Sequence, residues 1–325
     1  MALSEAIAAH RSGNLEEAER LYRDVIAQSP YQADAYALLG VVLGARGEME
    51  RAVDYVDKAV DIDPSSGLLH FHRGTVLMAA NKLPESLIAF ERAIALQPNK
   101  PQIHFNFANA LRSSNDWKGA IEQYQKAIEL DPNFLDAMNN LALSFVHEKK
   151  YENARQVALR SIESCETFGD GWLTLCNVTE KLGLYAEALK AGEKATELMP
   201  ESHYAWFGYG VALNRLNRDM EAVEAYKKAL GLSPDRANIW DNLAQSYQSL
   251  NMMDEAEETF RRTVEVAGQQ IKGDGEREID ESEYGDRHWH LALIELMQGK
   301  YKEGFARYRA RTAAIKELKL SLIHI

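Results

Sequence analysis

The chain has 325 residues, 49 of them acidic and 37 lysine or arginine, for a formal net charge of -12 with histidine neutral, and it has two cysteines. A surface of that sign attracts neither nucleic-acid phosphate nor anionic lipid, so both are excluded as expected main partners. Two cysteines make neither a disulfide framework nor a zinc site, and Cys165 and Cys176 are expected as reduced, packed thiols.

In chain order, the opening "MALSEAIAAHRSG" carries Glu5 and His10 where a signal peptide needs unbroken apolar residues. No later window is long and apolar enough to span a bilayer, and the expected location is the cytoplasm. Alanine, leucine and charged residues dominate, and period-two alternation is scarce, so every element is expected to be helical. At this length one elongated array is a better expectation than one compact core.

Prolines then punctuate the chain at 34-residue intervals: Pro30, Pro64, Pro98 and Pro132, then Pro200 and Pro234, with Glu166 in the skipped slot. Counted from Ala33, Gly67, Pro101, Leu135, Gly169, His203 and Ala237, the eighth place of each unit is small: Gly40, Gly74, Ala108, Ala142, Cys176, Gly210 and Ala244. The twentieth place is small too, from Ala18 in a clipped first unit to Ala256, with Ser86 the one hydroxyl. Two small residues twelve apart fit a first helix that turns back on a second, where their axes cross closely. Places four, seven, eleven and twenty-four are larger and apolar, as in Tyr36, Leu39, Leu43 and Val56, and these spacings share one helical face. "ELDPNF" and "GLSPDR" stop the second helix, whereas Pro84 and Pro101 fall in a first turn, where proline is tolerated.

These units resemble tetratricopeptide repeats. The resemblance covers the chain from Ala2 to about Arg311 and implies an all-α, right-handed alpha-alpha superhelix, a solenoid of about eight to nine helix-turn-helix repeats. First helices would line a concave groove and second helices the outside. Residues 1–270 are expected as eight repeats, the first clipped; the fifth is weak, with Ala158, Ser161 and Glu166 off pattern.

The resemblance also points the fifth, sixth, ninth, twelfth and thirteenth places at the groove. The fifth holds Phe71, Phe105, Leu173 and Phe207, interrupted by Asn139. Two fates are open for this apolar row: a binding track, or sideways packing between first helices. If it is a track, serine at Phe71, Phe105 and Phe207 removes partner capture and leaves melting largely unchanged. Asn106, Asn140 and Asn242 stand at the sixth place and Asn109 and Asn177 at the ninth, although asparagine is a mediocre helix former. Its amide can donate to and accept from a peptide backbone. The row is similar to the asparagine ladder of O-linked N-acetylglucosamine transferases, interrupted here by Leu38, His72, Thr174, Gly208 and His290. The lysine-and-asparagine clamp that co-chaperone repeats use for C-terminal carboxylates is missing.

After Gly268 the register slips by 14 residues, and "IKGDGEREIDESEY", residues 271–284, is expected as an acidic, solvated loop without the alternating ligands of a calcium site. Residues 285–318 follow as a ninth, divergent repeat. In it Gly304, Phe305, Tyr308 and Arg311 resemble the "G-[WF]-x-x-Y-x-x-R" helix that closes the array in tetratricopeptide proteins with a C-terminal glycosyltransferase-like domain. "LSLIHI", within residues 319–325, resembles a translated sequencing adapter, so that tail is expected to be non-native and the chain truncated.

No phosphate loop, nucleophile elbow or metal-binding helix motif occurs. His70 and His72, like His288 and His290, are two apart on expected helices and point in different directions, so no metal ligand, catalytic residue or cofactor is expected. Three functions follow as expectations: a scaffold that binds a protein or peptide in its groove, the substrate-recognising front part of a protein O-glycosyltransferase, or a scaffold that self-associates through an uncapped C-terminal end.

Overall fold

A computed structural model describes residues 2–273 and 281–308, and among these residues every regular element is a helix. The chain divides into two units, Met1–Cys165 and Glu166–Ile325.

The first unit holds five hairpins: α1 (Ala2–Arg11) with α2 (Leu15–Gln28), α3 (Ala33–Ala45) with α4 (Met49–Ile62), α5 (Gly67–Ala79) with α6 (Leu83–Leu96), α7 (Pro101–Ser113) with α8 (Trp117–Leu130), and α9 (Leu135–His147) with α10 (Tyr151–Ser164). The second unit pairs α11 (Gly169–Lys181) with α12 (Tyr185–Leu198), α13 (His203–Arg215) with α14 (Asp219–Leu232), and α15 (Ala237–Ser249) with α16 (Met253–Gly273); α17 (Glu281–Met297) precedes helical residues 301–308. The seven first helices from α3 to α15 begin on the seven residues that the 34-residue count names. Pro84 and Pro101 lie in first turns as expected.

Each hairpin turns through one residue in the left-handed region, always at the fifteenth place: Gly13, Gly47, Gly183, Gly299, Asn81, Asn115, Asn217, Asn251 and, alone in being neither glycine nor asparagine, Lys149 (φ 57°). Glycine takes this conformation freely and asparagine at little cost.

The crossing of the two helices explains the small residues. A Cβ on Gly40 would sit 2.9 Å from the Ala52 carbonyl oxygen and 2.6 Å from Val56. On Gly74 it would meet the Phe90 ring at 2.8 Å, and on Gly210 the Tyr226 ring at 2.6 Å. The eighth place therefore makes room for the twenty-fourth, whose Tyr22, Phe90, Tyr124, Tyr226 and Phe260 are fully buried. Ser86 is buried because its hydroxyl donates to the Gly74 carbonyl at 2.8 Å. The fifth and sixth hairpins have Ala158 and Gly192 in place of the ring; beside Gly192 the space is taken by Tyr209 and the Cys176 sulfur. Cys176 is buried, which pushes its thiol up to about 12 and leaves it protonated.

One difference from the sequence reading lies at residues 271–284. The proline slot after Pro234 holds Gly268, which keeps its backbone N–H, and α16 runs through it to Gly273. α17 already begins at Glu281, so the segment expected as a loop is helical at both ends, and residues 274–280 lie outside the described residues. The ninth repeat is described as far as residue 308; Arg311 and the tail at 319–325 lie outside.

Candidate peptide-binding groove

First helices lie beside one another within each unit, α3 by α5 and α5 by α7 in one, α11 by α13 and α13 by α15 in the other. The candidate residues accordingly form two sets.

In the first unit Phe71 is half-buried with its ring 6.2 Å from Phe90, and Phe105 lies 4.8 Å from Phe134 and 5.9 Å from Tyr124. Phe71 thus rests on the second helix of its own repeat, while Phe105 lies closest to Phe134 at the start of the next one and also meets Tyr124, a fate between the two expected ones: packed beneath and half-buried. Serine at these places removes packing as well as any groove contact, so unchanged melting is not the outcome this geometry supports. Asn106, half-buried, donates its amide to the Gln102 carbonyl at 2.9 Å. Asn109 and Asn140 are brought together, because the Asn109 side-chain oxygen accepts from Asn140 Nδ2 at 3.1 Å and from the Tyr124 hydroxyl. Burial raises the Tyr124 pKa, so it stays a neutral donor. Asn139 is half-buried at the fifth place of α9.

In the second unit Leu173 and Asn177 both border Gly208, where a Cβ would meet the Asn177 amide oxygen at 3.3 Å and the Leu173 side chain at 3.5 Å. Phe207, half-buried, lies 6.0 Å from the ring of Tyr226. Asn242 donates to the Asn238 carbonyl at 2.8 Å. Arg215 at the end of α13 reaches back to Glu180 on α11 at 2.8 Å. Burial alone would raise the Glu180 carboxyl, but bonds from Arg215 and Lys181 hold it below the usual range.

Three features escaped the sequence reading. Tyr124 joins the asparagine pair from a second helix. Asp241 on α15 and His290 on α17 approach to 3.8 Å, and the carboxylate raises the histidine's pKa. The third is a bond that recurs at the fourth place. Trp206 and Trp240 donate their indole N–H to the carbonyls of Pro200 and Pro234, each at 2.8 Å and six residues back. His70 and His104 stand in for the indole, with Nε2 at 3.0 and 2.8 Å from the Pro64 and Pro98 carbonyls. Trp172 makes the same bond at 2.7 Å to Glu166, which replaces the proline. The signal was present as an aromatic N–H six residues after five of the seven proline slots, the exceptions being Tyr36 after Pro30 and Met138 after Pro132.

Among the described residues no group of three His, Cys, Asp or Glu could hold a metal ion, and no helix is long and apolar enough to cross a membrane. The arrangement offers shape, apolar surface and amide hydrogen bonds.

Stacked hairpins of this geometry define a helical repeat protein. Models of the tetratricopeptide repeat match residues 3–67, 108–147, 179–237 and 237–270, more than half of the sequence, and the chain belongs to that family. Among solved structures it is similar to the APC/C hetero-tetramer Cut9–Hcn1 (18% identity, 82% of this chain and 53% of that one, TM-score 0.57). It is also similar to a tetratricopeptide repeat protein from Parabacteroides merdae (16%, 84% and 98%, TM-score 0.59). The C-terminal part of a repeat protein from Cytophaga hutchinsonii gives 15%, 74% and 99%, with a TM-score of 0.58. At these identities the likeness is one of fold, and the chain spans about half the length of the first of the three. No curated protein matches.

Proposed function

We propose that the chain is a protein-interaction scaffold that holds an extended polypeptide against the faces of its first helices. The observation that carries this reading is the half-buried row of Phe105, Asn106, Asn109 and Asn140 on α7 and α9. Amides there sit over buried rings without being buried themselves. Amides of this kind can bond a peptide backbone whatever its side chains, each bond contributing about 1 kcal/mol net. Immobilised peptides test it. Asn106→Ala with Asn140→Ala is expected to weaken capture about tenfold while stability falls by no more than the two amide bonds lost, about 1 kcal/mol each. Equal capture by the double variant removes the asparagines from the function.

A second reading is supported by the last described helix. Gly304 lets that helix approach α17, since a Cβ there would lie 2.7 Å from Leu296, while Tyr301, Phe305 and Tyr308 stay 63%, 51% and 47% exposed. An aromatic face of this kind suits contact with a further protein region, as in the front part of a glycosyltransferase-like protein. Sequencing the gene beyond the codon for Lys319 tests it, and an early stop codon or an unrelated domain overturns it.

A further inference from the structure

Among the first helices of the first unit, α5, α7 and most of α9 depart from the charge of the molecule, whereas α1 carries Glu5 and α3 Asp34. In a chain with an excess of acids, α5 and α7 contain no aspartate or glutamate, and α9 contains only Asp136, in its first turn. Both α5 and α7 carry arginine. Arg73 on α5 is neutralised by Asp57 at 2.6 Å. Arg112, half-buried in the last turn of α7, has no hydrogen-bond or ion-pair partner among the described residues.

Arg112 lies one helical turn beyond Asn109, on the same face. Both lone pairs of the Asn109 side-chain oxygen are engaged, one by Tyr124 and one by Asn140, so what Asn109 has left to offer is N–H. The Arg112 charge is felt at the Tyr124 hydroxyl, which ties the guanidinium to this cluster. The group is therefore composed of donors with one uncompensated positive charge. The second unit shows the alternative, for its arginine at a first-helix end, Arg215, is met by Glu180 of the preceding first helix. One place further along its helix, at the thirteenth as for Arg215, α9 carries His147, whose ring stacks on Trp117 at 3.7 Å.

We infer that Arg112 and Asn109 form a subsite for a carboxylate, the side chain of an aspartate or glutamate within the bound peptide. This rests on the groove reading above. One guanidinium matches one carboxylate in charge and fork geometry. First helices flank α7 on both sides, α5 before it and α9 after, so a peptide crossing them meets Arg112 in mid-chain.

The test uses the full chain and immobilised peptides blocked at both termini, identical except for one central residue: Asp, Glu, Asn, Gln or phosphoserine. Wild type is expected to bind the Asp or Glu peptide about tenfold more tightly than its amide counterpart, with the preference weakening as salt rises. Arg112→Gln should bring the two within about twofold while the thermal melt stays close to wild type. Arg112→Lys should keep part of the preference. An acidic preference that survives Arg112→Gln overturns the subsite, and so does a stronger preference for phosphoserine. Binding of all peptides alike also overturns it and leaves the groove reading intact, whereas capture of none defeats both.

Discussion

At the scale of single residues, the turns and the fourth-place rings carry the clearest expectations. Lys149 adopts the left-handed conformation that glycine or asparagine takes at the other eight turns. A side chain with a Cβ pays roughly 1 kcal/mol there, so Lys149→Gly should raise stability by about that amount despite the looser unfolded chain. Urea titration reads it as a higher midpoint at constant slope, and a lower midpoint contradicts it. The ring-to-carbonyl bonds can be removed singly. Trp206→Phe keeps most of the apolar surface and loses the donor to Pro200, at an expected cost of about 1 kcal/mol. Trp172→Phe should cost the same, because the acceptor there is the carbonyl of Glu166 and no proline ring takes part. Unequal costs would show that the proline matters beyond its oxygen.

At the scale of elements, the 34-residue count gave the start of each first helix from α3 to α15, because small, large and helix-stopping residues recur in one register over many units. It failed at Gly268, through which α16 runs, because a glycine slows a helix without stopping it, whereas α10 stops at Ser164 although its slot holds Glu166 and no proline. The candidate groove was legible as to place and not as to bonding. Sequence named Asn109 and Asn140 separately, and their meeting under Tyr124 depends on how neighbouring hairpins stack. Burial of the phenylalanine rings against Phe90, Tyr124 and Tyr226 was hidden for the same reason. Electrostatics at the docking of α17 make a prediction of their own. Asp241 raises the His290 pKa, while Asp286 on the same helix adds to the attraction and Phe260 of α16 packs against the ring. The folded value lies above the unfolded one, so this contribution is fully present below the unfolded imidazole value and is lost as pH rises through the folded value. Hydrogen exchange of α17, corrected for intrinsic rates, should therefore be slower at pH 6 than at pH 8. Asp241→Asn should remove that part of the difference. Burial lowers the His288 pKa and acts in the opposite sense in both proteins, so the comparison between them isolates the pair.

At the scale of the whole molecule, stability is a sum of hairpins and the contacts between neighbours, so unfolding is not expected to be all-or-none. Calorimetry should give an enthalpy larger than the van't Hoff value, and equality would mean that the hairpins melt as one. The fourth-place bonds make that sum observable. Trp206 and Trp240 each hold the boundary between successive repeats of the second unit with the indole N–H itself. Histidines hold two such boundaries in the first unit and emit no light. With the remaining tryptophans, Trp117, Trp172 and Trp289, replaced by phenylalanine, the chain would carry its own fluorophores at two seams, each changing colour as its seam opens to water.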